Sequence, residues 1–428
     1  MQFEQLNELV NFARQHSPYF KQHYSGISES ITAIAELPLI NPSEYWQNSQ
    51  ILNQWPVLTA SPAQALVFKT GGSTSAGKLS VYTREEWHRL VSDFGRGLTT
   101  QFKPADRVAN LFFAGDLYAS FLFIHDALAY VAEDITEFPF TGQVANEELA
   151  EAIVQHNINV LAGVPAQLLT FASGLLRQGQ VLTGVDTVLF GGESLFAAQR
   201  QILSQVFPNA RIASIGYASV DAGFIGSSHR DCNEGEHRSP DGHALIEIID
   251  EHTGELIDTC GRSGQLVLTN PQRRLMPLIR YPVGDRACWL EPVGTAMRKF
   301  ALMGRSASSQ RVRVGILSLI PEEIGACVQT CTASDHWQLL IEQAAHKDVL
   351  ILKWVPAATS PAHGDAERAL LARLIEDYSL IEQLQAQQLL ELHIQTCTLE
   401  DLARHPRSGK CLRVHDLRRY DEPTTEAA

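Results

Sequence analysis

The sequence predicts an α/β protein, on three observations. Between about residues 106 and 217, short apolar strands alternate with amphipathic helices, the pattern of a doubly wound, mostly parallel sheet covered on both faces. Beyond Gly226 the apolar period shifts to two, which predicts a small antiparallel β subdomain over about 227–304. From about Arg305 strands mix with a long charged helix, as in a small α+β domain. The expected division is a large N-terminal domain, 1–304, and a small C-terminal one, 305–428.

Composition supports a globular chain and narrows its partners. Of 428 residues, 45% are hydrophobic and 19% charged, which leaves ample material for a large core. The net charge of −14 argues against nucleic acid or an anionic membrane as partner, since both need a basic face. No apolar run approaches the about 20 residues of a membrane span. The N-terminal MQFEQLNELVNFARQH reads as an amphipathic helix without the apolar core of a signal peptide. Seven scattered cysteines, an odd number, suit a reducing compartment, so a cytosolic location is expected. The oligomeric state stays open, a homodimer being one option.

In chain order, SPYF and LPLINPSEY read as surface wrapping that leads to a pair of strands, AQALVF and LSVYT. Thr83 with Glu86 forms a capping box that opens a helix. RVANLFFAG is a strand, followed by the helical DLYASFLFIHDALAYV. INVLAGV is a strand and VPAQLLTFASGLLRQG a helix with Pro165 in its first turn. VDTVLFGGE, SLFAAQRQILSQVF and ARIASIGY make a third strand–helix–strand unit. HALIEIID, ELIDT and GQLVLTN are antiparallel strands with EHTG as a turn, and GDAERALLARLIEDYSLIEQL reads as one helix. Ligands of parallel sheets bind at the carboxyl ends of the strands, so FGGES and GYASVDAG are candidate site loops.

The stretch FKTGGSTSAGKLSVYT carries the sharpest chemical signal. Gly72 to Lys78 meets the phosphate-loop spacing, but Leu79 stands where a hydroxyl should hold magnesium, and a strand follows where a helix is required. This is a strand–loop–strand hairpin with a glycine- and hydroxyl-rich loop, suited to an anion or to a plain solvated turn.

Together the motifs resemble the adenylate-forming superfamily of acyl-CoA synthetases, luciferases and adenylation domains, and its phenylacetate–CoA ligase branch in particular. FKTGGSTSAGK resembles the family's phosphate loop, FGGES the loop before the adenine pocket, and YASVDAG the YGxTExG motif. PLIRY followed by Gly284–Asp285 is similar to a branch hallmark, Gly304–Arg305 to the hinge, and HPRSGKCLRVHD to the terminal SGK motif. The resemblance implies a large AMP-binding domain and a small mobile one. It implies ATP, AMP and Mg2+ as cofactors, a carboxylic acid, aromatic by branch, as substrate, and coenzyme A or a carrier protein as acceptor. It places Thr70, Gly71, Gly72, Ser73, Thr74 and Lys78 at the triphosphate, and Gly191, Gly192, Glu193 and Tyr217 at adenine. Asp285 falls at the ribose, Asp221 at magnesium, Arg305 at the nucleotide beside the hinge, and Lys410 between the substrate carboxylate and the α-phosphate. The acid pocket is expected near Phe112, Tyr118 and Phe121.

Several positions depart from the family pattern. Asp221 replaces a glutamate, Ala218 and Val220 replace a glycine and a threonine, and Ala307 stands where the hinge has an aspartate. Some branch members hold zinc; here Cys232, His237 and nearby His229 resemble half of such a site and the second half lacks cysteine, so no zinc is expected. Two alternatives stay open: transfer to an amine, hydroxyl or carrier thiol, and a non-catalytic AMP-binding relic. The basic tail around Lys410 is otherwise a solvated face.

Overall fold

The computed structural model describes residues 3–69, 79–113, 115, 117–141, 144–192, 195, 197–251, 253–305, 312–314, 317–319, 321–344, 347–357, 360–378, 380–386, 390–404 and 411–417. These residues fall in two compact units, 3–305 and 312–417.

The first unit begins with helices α1 (Phe3–His16) and α2 (Pro18–His23). Between them, the Ser17 hydroxyl accepts from the Phe20 amide at 3.3 Å and donates to the Pro56 carbonyl at 2.9 Å, while Pro18 takes the first helical position. A single helical turn, α3 (Pro42–Tyr45), follows. This region is not surface wrapping. Phe20, Tyr24, Tyr45, Trp46 and Trp55 are buried in one core with Leu278, Tyr281 and Phe300. Prolines and intervening polar residues disguise it in the sequence, but its rings carry the largest apolar areas available and bury accordingly.

Strands β1 (Leu66–Lys69) and β2 (Leu79–Tyr82) pair antiparallel, with Lys69 opposite Leu79, so both ends of the loop 70–78 meet at one place. The loop itself lies outside the described residues. Helix α4 (Arg84–Leu98) opens on the expected capping box: Thr83 Oγ1 accepts from the Glu86 amide at 3.0 Å, and Glu86 Oε2 accepts from the Thr83 amide at 2.9 Å. Glu86 Oε1 accepts from the amides of Arg274 and Leu275, at 2.7 and 2.8 Å, which explains how this carboxylate can be buried.

The parallel sheet follows: β3 (Arg107–Asn110), α5 (Ser120–Leu128), β4 (Thr136–Pro139), α6 (Asn146–Gln155), β5 (Val160–Gly163), α7 (Pro165–Arg177), β6 (Thr187–Phe190), α8 (Ala197–Val206) and β7 (Arg211–Ser214). The spatial order is β4-β3-β5-β6-β7, with every pairing parallel. Alternate residues supply two cores: Val108, Val160, Ala162 and Leu189 on one face, Ala109, Leu161, Val188 and Phe190 on the other. The chain leaves β3 for one side of the sheet and returns to its other side as β5. The crevice at the carboxyl ends of β3 and β5 is therefore the switch point at which ligands of such sheets bind. Helix α5 starts later than its apolar pattern suggests. Gly115 (φ +123°) and Leu117 (φ +67°) make a tight turn instead, with the Tyr118 amide donating to the Gly115 carbonyl at 2.9 Å.

A two-stranded hairpin, β8 (Tyr217–Ser219) and β9 (Gly223–Gly226), leads to the antiparallel sheet. That sheet comprises β10 (Glu236–Arg238), β11 (Leu245–Ile249), β12 (Ser263–Asn270), β13 (Leu278–Trp289) and β14 (Lys299–Arg305), in the order β10-β14-β13-β12-β11. ELIDT, expected as a strand, contributes only the bridge of Leu256 to Ile249. Its neighbour Gly254 (φ +74°) has already closed the EHTG turn, with its amide on the Asp250 carbonyl at 2.9 Å.

The second unit holds a hairpin, β15 (Val312–Val314) and β16 (Leu317–Leu319), then α9 (Pro321–Thr332), β17 (Trp337–Ala344), β18 (Lys347–Trp354), α10 (His363–Asp377), α11 (Leu380–Ala386), β19 (Leu390–Thr396) and β20 (Val414–Asp416). Its four-stranded sheet runs β19-β18-β17-β20, antiparallel at the centre and parallel at both edges. The single long helix read from the sequence is two, α10 and α11. Tyr378 (φ −126°, ψ 71°) leaves the helical region, and its hydroxyl donates to Glu323 Oε2 on α9 at 2.7 Å. Within the basic tail, Arg413 is no solvated charge: it donates to the Asp335 and Trp337 carbonyls at 3.0 and 3.2 Å.

Candidate functional site

The carboxyl ends of β3, β5, β6 and β7 converge around two glycines. Gly191 follows β6, and its amide donates to the Gly163 carbonyl at 3.2 Å. A Cβ on Gly191 would stand 2.7 Å from Ile215 Cγ2 and 3.5 Å from Phe112 Cζ, so the position has no room for a side chain. Gly192 has φ +81°, a conformation that favours glycine. Phe112 itself follows β3 at the switch point, where Asn110 Oδ1 accepts from its amide at 3.2 Å. The expected acid-pocket residues Tyr118 and Phe112 are buried there, with Phe121 partly buried and stacked on His125 at 6.1 Å. The Lys69 amide, at the start of the loop 70–78, donates to the Leu117 carbonyl at 2.8 Å and ties the hairpin to the same region.

Tyr217 opens β8, and its hydroxyl donates to the Asp285 carboxylate on β13. Asp285 pairs with Arg305 of β14 at a register shift, and Gly284 before it has φ +92°. Such an irregularity redirects a side chain out of the regular pleat. The Tyr217 ring lies 5.4 Å from that of His237 and 6.4 Å from Phe300. Asp221 sits in the β8–β9 turn. Its Oδ2 accepts from the Tyr281 hydroxyl at 2.7 Å, and Tyr281 accepts in turn from Trp46 Nε1 at 3.1 Å. Burial first, and the Asp221 charge second, raise the Tyr281 pKa well above the usual phenol range, so it stays a donor. The other Asp221 oxygen takes no hydrogen bond among the described residues, leaving a hard oxygen ligand of the kind magnesium prefers.

The structure thus brings Tyr217 to Asp285, and ties Asp221, in the β8–β9 turn, to the same strand β13 through Tyr281. Gly191 and Gly192 lie at the end of β6. Thr70, Gly71, Gly72, Ser73, Thr74, Lys78, Glu193 and Lys410 lie outside the described residues, and so does Ala307; Arg305 is described by its backbone alone. Sequence reasoning assigned no role to Trp46, Tyr82 or Tyr281. The strand alternation of LSVYT already puts Ser80 and Tyr82 on one face, and Tyr281 stands within the PLIRY stretch.

The cysteine and histidines set aside as half a zinc site have other partners. Ser228 Oγ bonds His237 Nδ1 at 3.0 Å, Ser227 Oγ bonds His229 Nε2 at 3.2 Å, and Cys232 Sγ accepts from the His229 amide at 3.4 Å. Among the described residues no three His, Cys, Asp or Glu side chains group as metal ligands.

His237 makes stability pH-dependent. Burial pushes its pKa down to about 4, with Glu236 opposing weakly. A depressed histidine pKa means that the unfolded chain binds the proton first, so stability is full above about 6.5 and falls as pH drops toward 4, by up to about 3 kcal/mol. His237→Gln should flatten the wild-type loss of melting temperature over that window. An unchanged slope would show that other groups carry it.

Comparison with known proteins follows this geometry. Residues 22–276 match the family model described as AMP-binding enzyme. The phenylacetate–coenzyme A ligase of Aromatoleum evansii is 22% identical over 88% of this chain and 86% of its own length. The indoleacetate–lysine synthetase of Pseudomonas savastanoi is 28% identical over 43% of each chain. A 2-hydroxyisobutyryl-CoA ligase structure, in its postadenylation state, superposes with a TM-score of 0.69 at 15% identity, covering 97% of this chain and 88% of that one, and shares the fold. The chain belongs to the AMP-binding enzymes, the adenylate-forming ligases, and within them it is phenylacetate–CoA ligase-like.

Proposed function

We propose that this chain activates a carboxylic acid, aromatic by preference, as its acyl-adenylate at the expense of ATP, releases pyrophosphate, and passes the acyl group to coenzyme A. The observation that carries this reading is the Tyr217–Asp285 pair, which joins β8 to β13. A flat ring suits a purine, and a carboxylate with two acceptor oxygens suits vicinal ribose hydroxyls. ATP supplies an electrophilic phosphorus and a leaving pyrophosphate.

The protein's task is to let two anions meet, so its work is positioning and charge neutralisation. Thr70, Gly71, Gly72, Ser73, Thr74 and Lys78 would wrap the triphosphate with amides, hydroxyls and one ammonium. Gly191, Gly192 and Glu193 would face the base with their backbone, and Arg305 would reach the nucleotide. Lys410 would sit where the carboxylate approaches phosphorus. Asp221, held by Tyr281, would offer its remaining oxygen to Mg2+. Phe112, Tyr118 and Phe121 at the switch point would receive an aromatic acid. In this reading 305–428 is the small mobile domain.

Asp285→Ala should weaken ATP binding by about 100-fold, the size of two lost charge-assisted hydrogen bonds, whereas Tyr217→Phe, which keeps the ring, should lose less than about tenfold. Calorimetry checks both, and an unchanged affinity in Asp285→Ala removes that residue from the site. The function is tested by pyrophosphate release across aryl and fatty acids, with acyl transfer to coenzyme A, a carrier thiol and amines measured separately. A second acceptor, an amine, is favoured by the likeness to the lysine-conjugating synthetase and by Ala307 in place of the hinge aspartate. If no acid elicits pyrophosphate release, the catalytic reading fails and an AMP-binding relic takes its place.

A further inference from the structure

We infer that Glu137 is a positioning residue of the acid pocket: its two carboxylate oxygens fix the walls at Phe112 and Phe121 and so set which acids fit there. The inference rests on the pocket proposed above and adds to it a brace of three side chains, Asn110, His125 and Glu137, none of which is expected to touch a ligand.

Glu137 stands on β4, an edge strand of the parallel sheet, opposite Val108 of β3. Paired residues share a face of the sheet, and every second residue of a strand returns to it, so Glu137, Val108 and Asn110 lie on one face. Val108 packs there with Ile124 and Leu128 of α5. Two of the three residues are polar where the face under a helix is ordinarily apolar, and both are engaged. Glu137 Oε1 accepts from Asn110 Nδ2 at 2.8 Å, and Oε2 accepts from His125 Nδ1 on α5, also at 2.8 Å. Asn110, fully buried at the last residue of β3, accepts in turn from the Phe112 amide. The His125 ring lies parallel to that of Phe121, one helical turn earlier, at an interplanar angle of 4°. One carboxylate thus reaches the Phe112 backbone through Asn110 and the Phe121 ring through His125.

Both arms end on the same core, to which Phe112 and Phe121 belong, and the Phe112 ring faces Gly191 at the end of β6. The His125 side chain is 51% exposed, and an ion pair of that kind adds little to stability. Its value lies in geometry. Beside the brace is a cleft of about 450 Å³, lined by His125 and Glu137 with Trp87, Leu128 and Tyr130. Without Glu137 the imidazole is free to turn into that space, and the Phe121 ring loses the surface that fixes it. A wall displaced by about 1 Å is enough to change how a substrate sits. An apolar pocket discriminates by shape, so a loosened wall admits acids that the braced one rejects.

The test measures pyrophosphate release by the full chain with ATP and Mg2+, for the parent's best acid and a bulkier analogue of it, in Glu137→Ala, Glu137→Gln and His125→Ala. In Glu137→Ala the ratio of kcat/KM for the best acid over the bulkier one should fall about tenfold, chiefly through KM for the best acid, with KM for ATP changed less than about twofold. Glu137→Gln, whose amide can accept from Asn110 and donate to the neutral imidazole, should keep the parent ratio. His125→Ala, which cuts only the Phe121 arm at an exposed position, should lower the ratio about threefold. Acid and ATP KM values that rise together, or an unchanged ratio in both alanine variants, would overturn the inference and leave Glu137 as a structural ion-pair partner. If Glu137→Ala does not fold, an unchanged ratio in His125→Ala overturns it equally. Wild-type protein for which no acid elicits pyrophosphate release would instead overturn the activation reading, and this role with it.

Discussion

Replacing Arg280 by Met should destabilise the first unit by about 3–5 kcal/mol, because it strands a buried carboxylate. Arg280 and Glu247 are both buried, 6% and 3% exposed, and meet in a two-pronged ion pair: Nη2 to Oε1 at 3.0 Å and Nε to Oε2 at 3.2 Å. The third prong, Nη1, donates to the Leu37 carbonyl at 2.6 Å. The backbone is engaged as well, with the Arg280 amide on Thr269 Oγ1 at 2.9 Å and its carbonyl accepting from the Ile40 amide at 3.1 Å. All of this holds Arg280 at φ +52°, a conformation that only a well-determined environment sustains in a residue other than glycine. Burial raises the Glu247 pKa and the guanidinium pulls it back, so removing Arg280 leaves the carboxyl with desolvation alone. The double variant Glu247→Leu/Arg280→Met, which removes both charges, should recover most of the loss. Urea unfolding followed by tryptophan fluorescence reads the midpoints. A single variant within about 1 kcal/mol of the parent would mean that Glu247 is rehydrated or re-paired. The result also separates two meanings of the PLIRY stretch: Arg280 joins the N-terminal segment to the sheet, while Tyr281 beside it faces Asp221.

What was legible in the sequence followed from how locally each feature is encoded. The strands VLAG and TVLF are buried at every residue, so their short apolar runs between helical periods could be read directly. The capping box at Thr83 is equally local, four residues that satisfy one another. Features set by distant partners were not legible. Nothing within SPYF or NPSEY states that Tyr45 donates to the Pro277 carbonyl across the core, and the helical period of DLYASFLF hides the turn at Gly115–Tyr118. The site divides in the same way. Asp285 and Tyr217 could be named from motifs 68 residues apart, and the fold brings them together. The Trp46–Tyr281–Asp221 chain joins residues far apart in the sequence, and no spacing rule reaches it.

Lys410→Ala should lower the rate of adenylate formation by about 10²–10³, or about 3–4 kcal/mol, and leave ATP affinity nearly unchanged. Lys410 lies outside the described residues, so the expectation rests on its place in the HPRSGK stretch and on the chemistry of the step. When a carboxylate approaches the α-phosphorus, negative charge concentrates between the two anions, and a preorganised ammonium there gains most at the transition state. ATP is held before that moment by groups elsewhere, with Asp285 and Tyr217 on β13 and β8 as the proposed anchors. The loss should therefore appear in the chemical step, the mark of an interaction made chiefly in the transition state. Single-turnover pyrophosphate release with saturating ATP isolates that step, and calorimetry gives the affinity. The variant should still process a chemically synthesised acyl-adenylate, because the bond Lys410 helps to form is already made. If Lys410→Ala forms adenylate at close to the parent rate, the SGK resemblance carries no catalytic meaning.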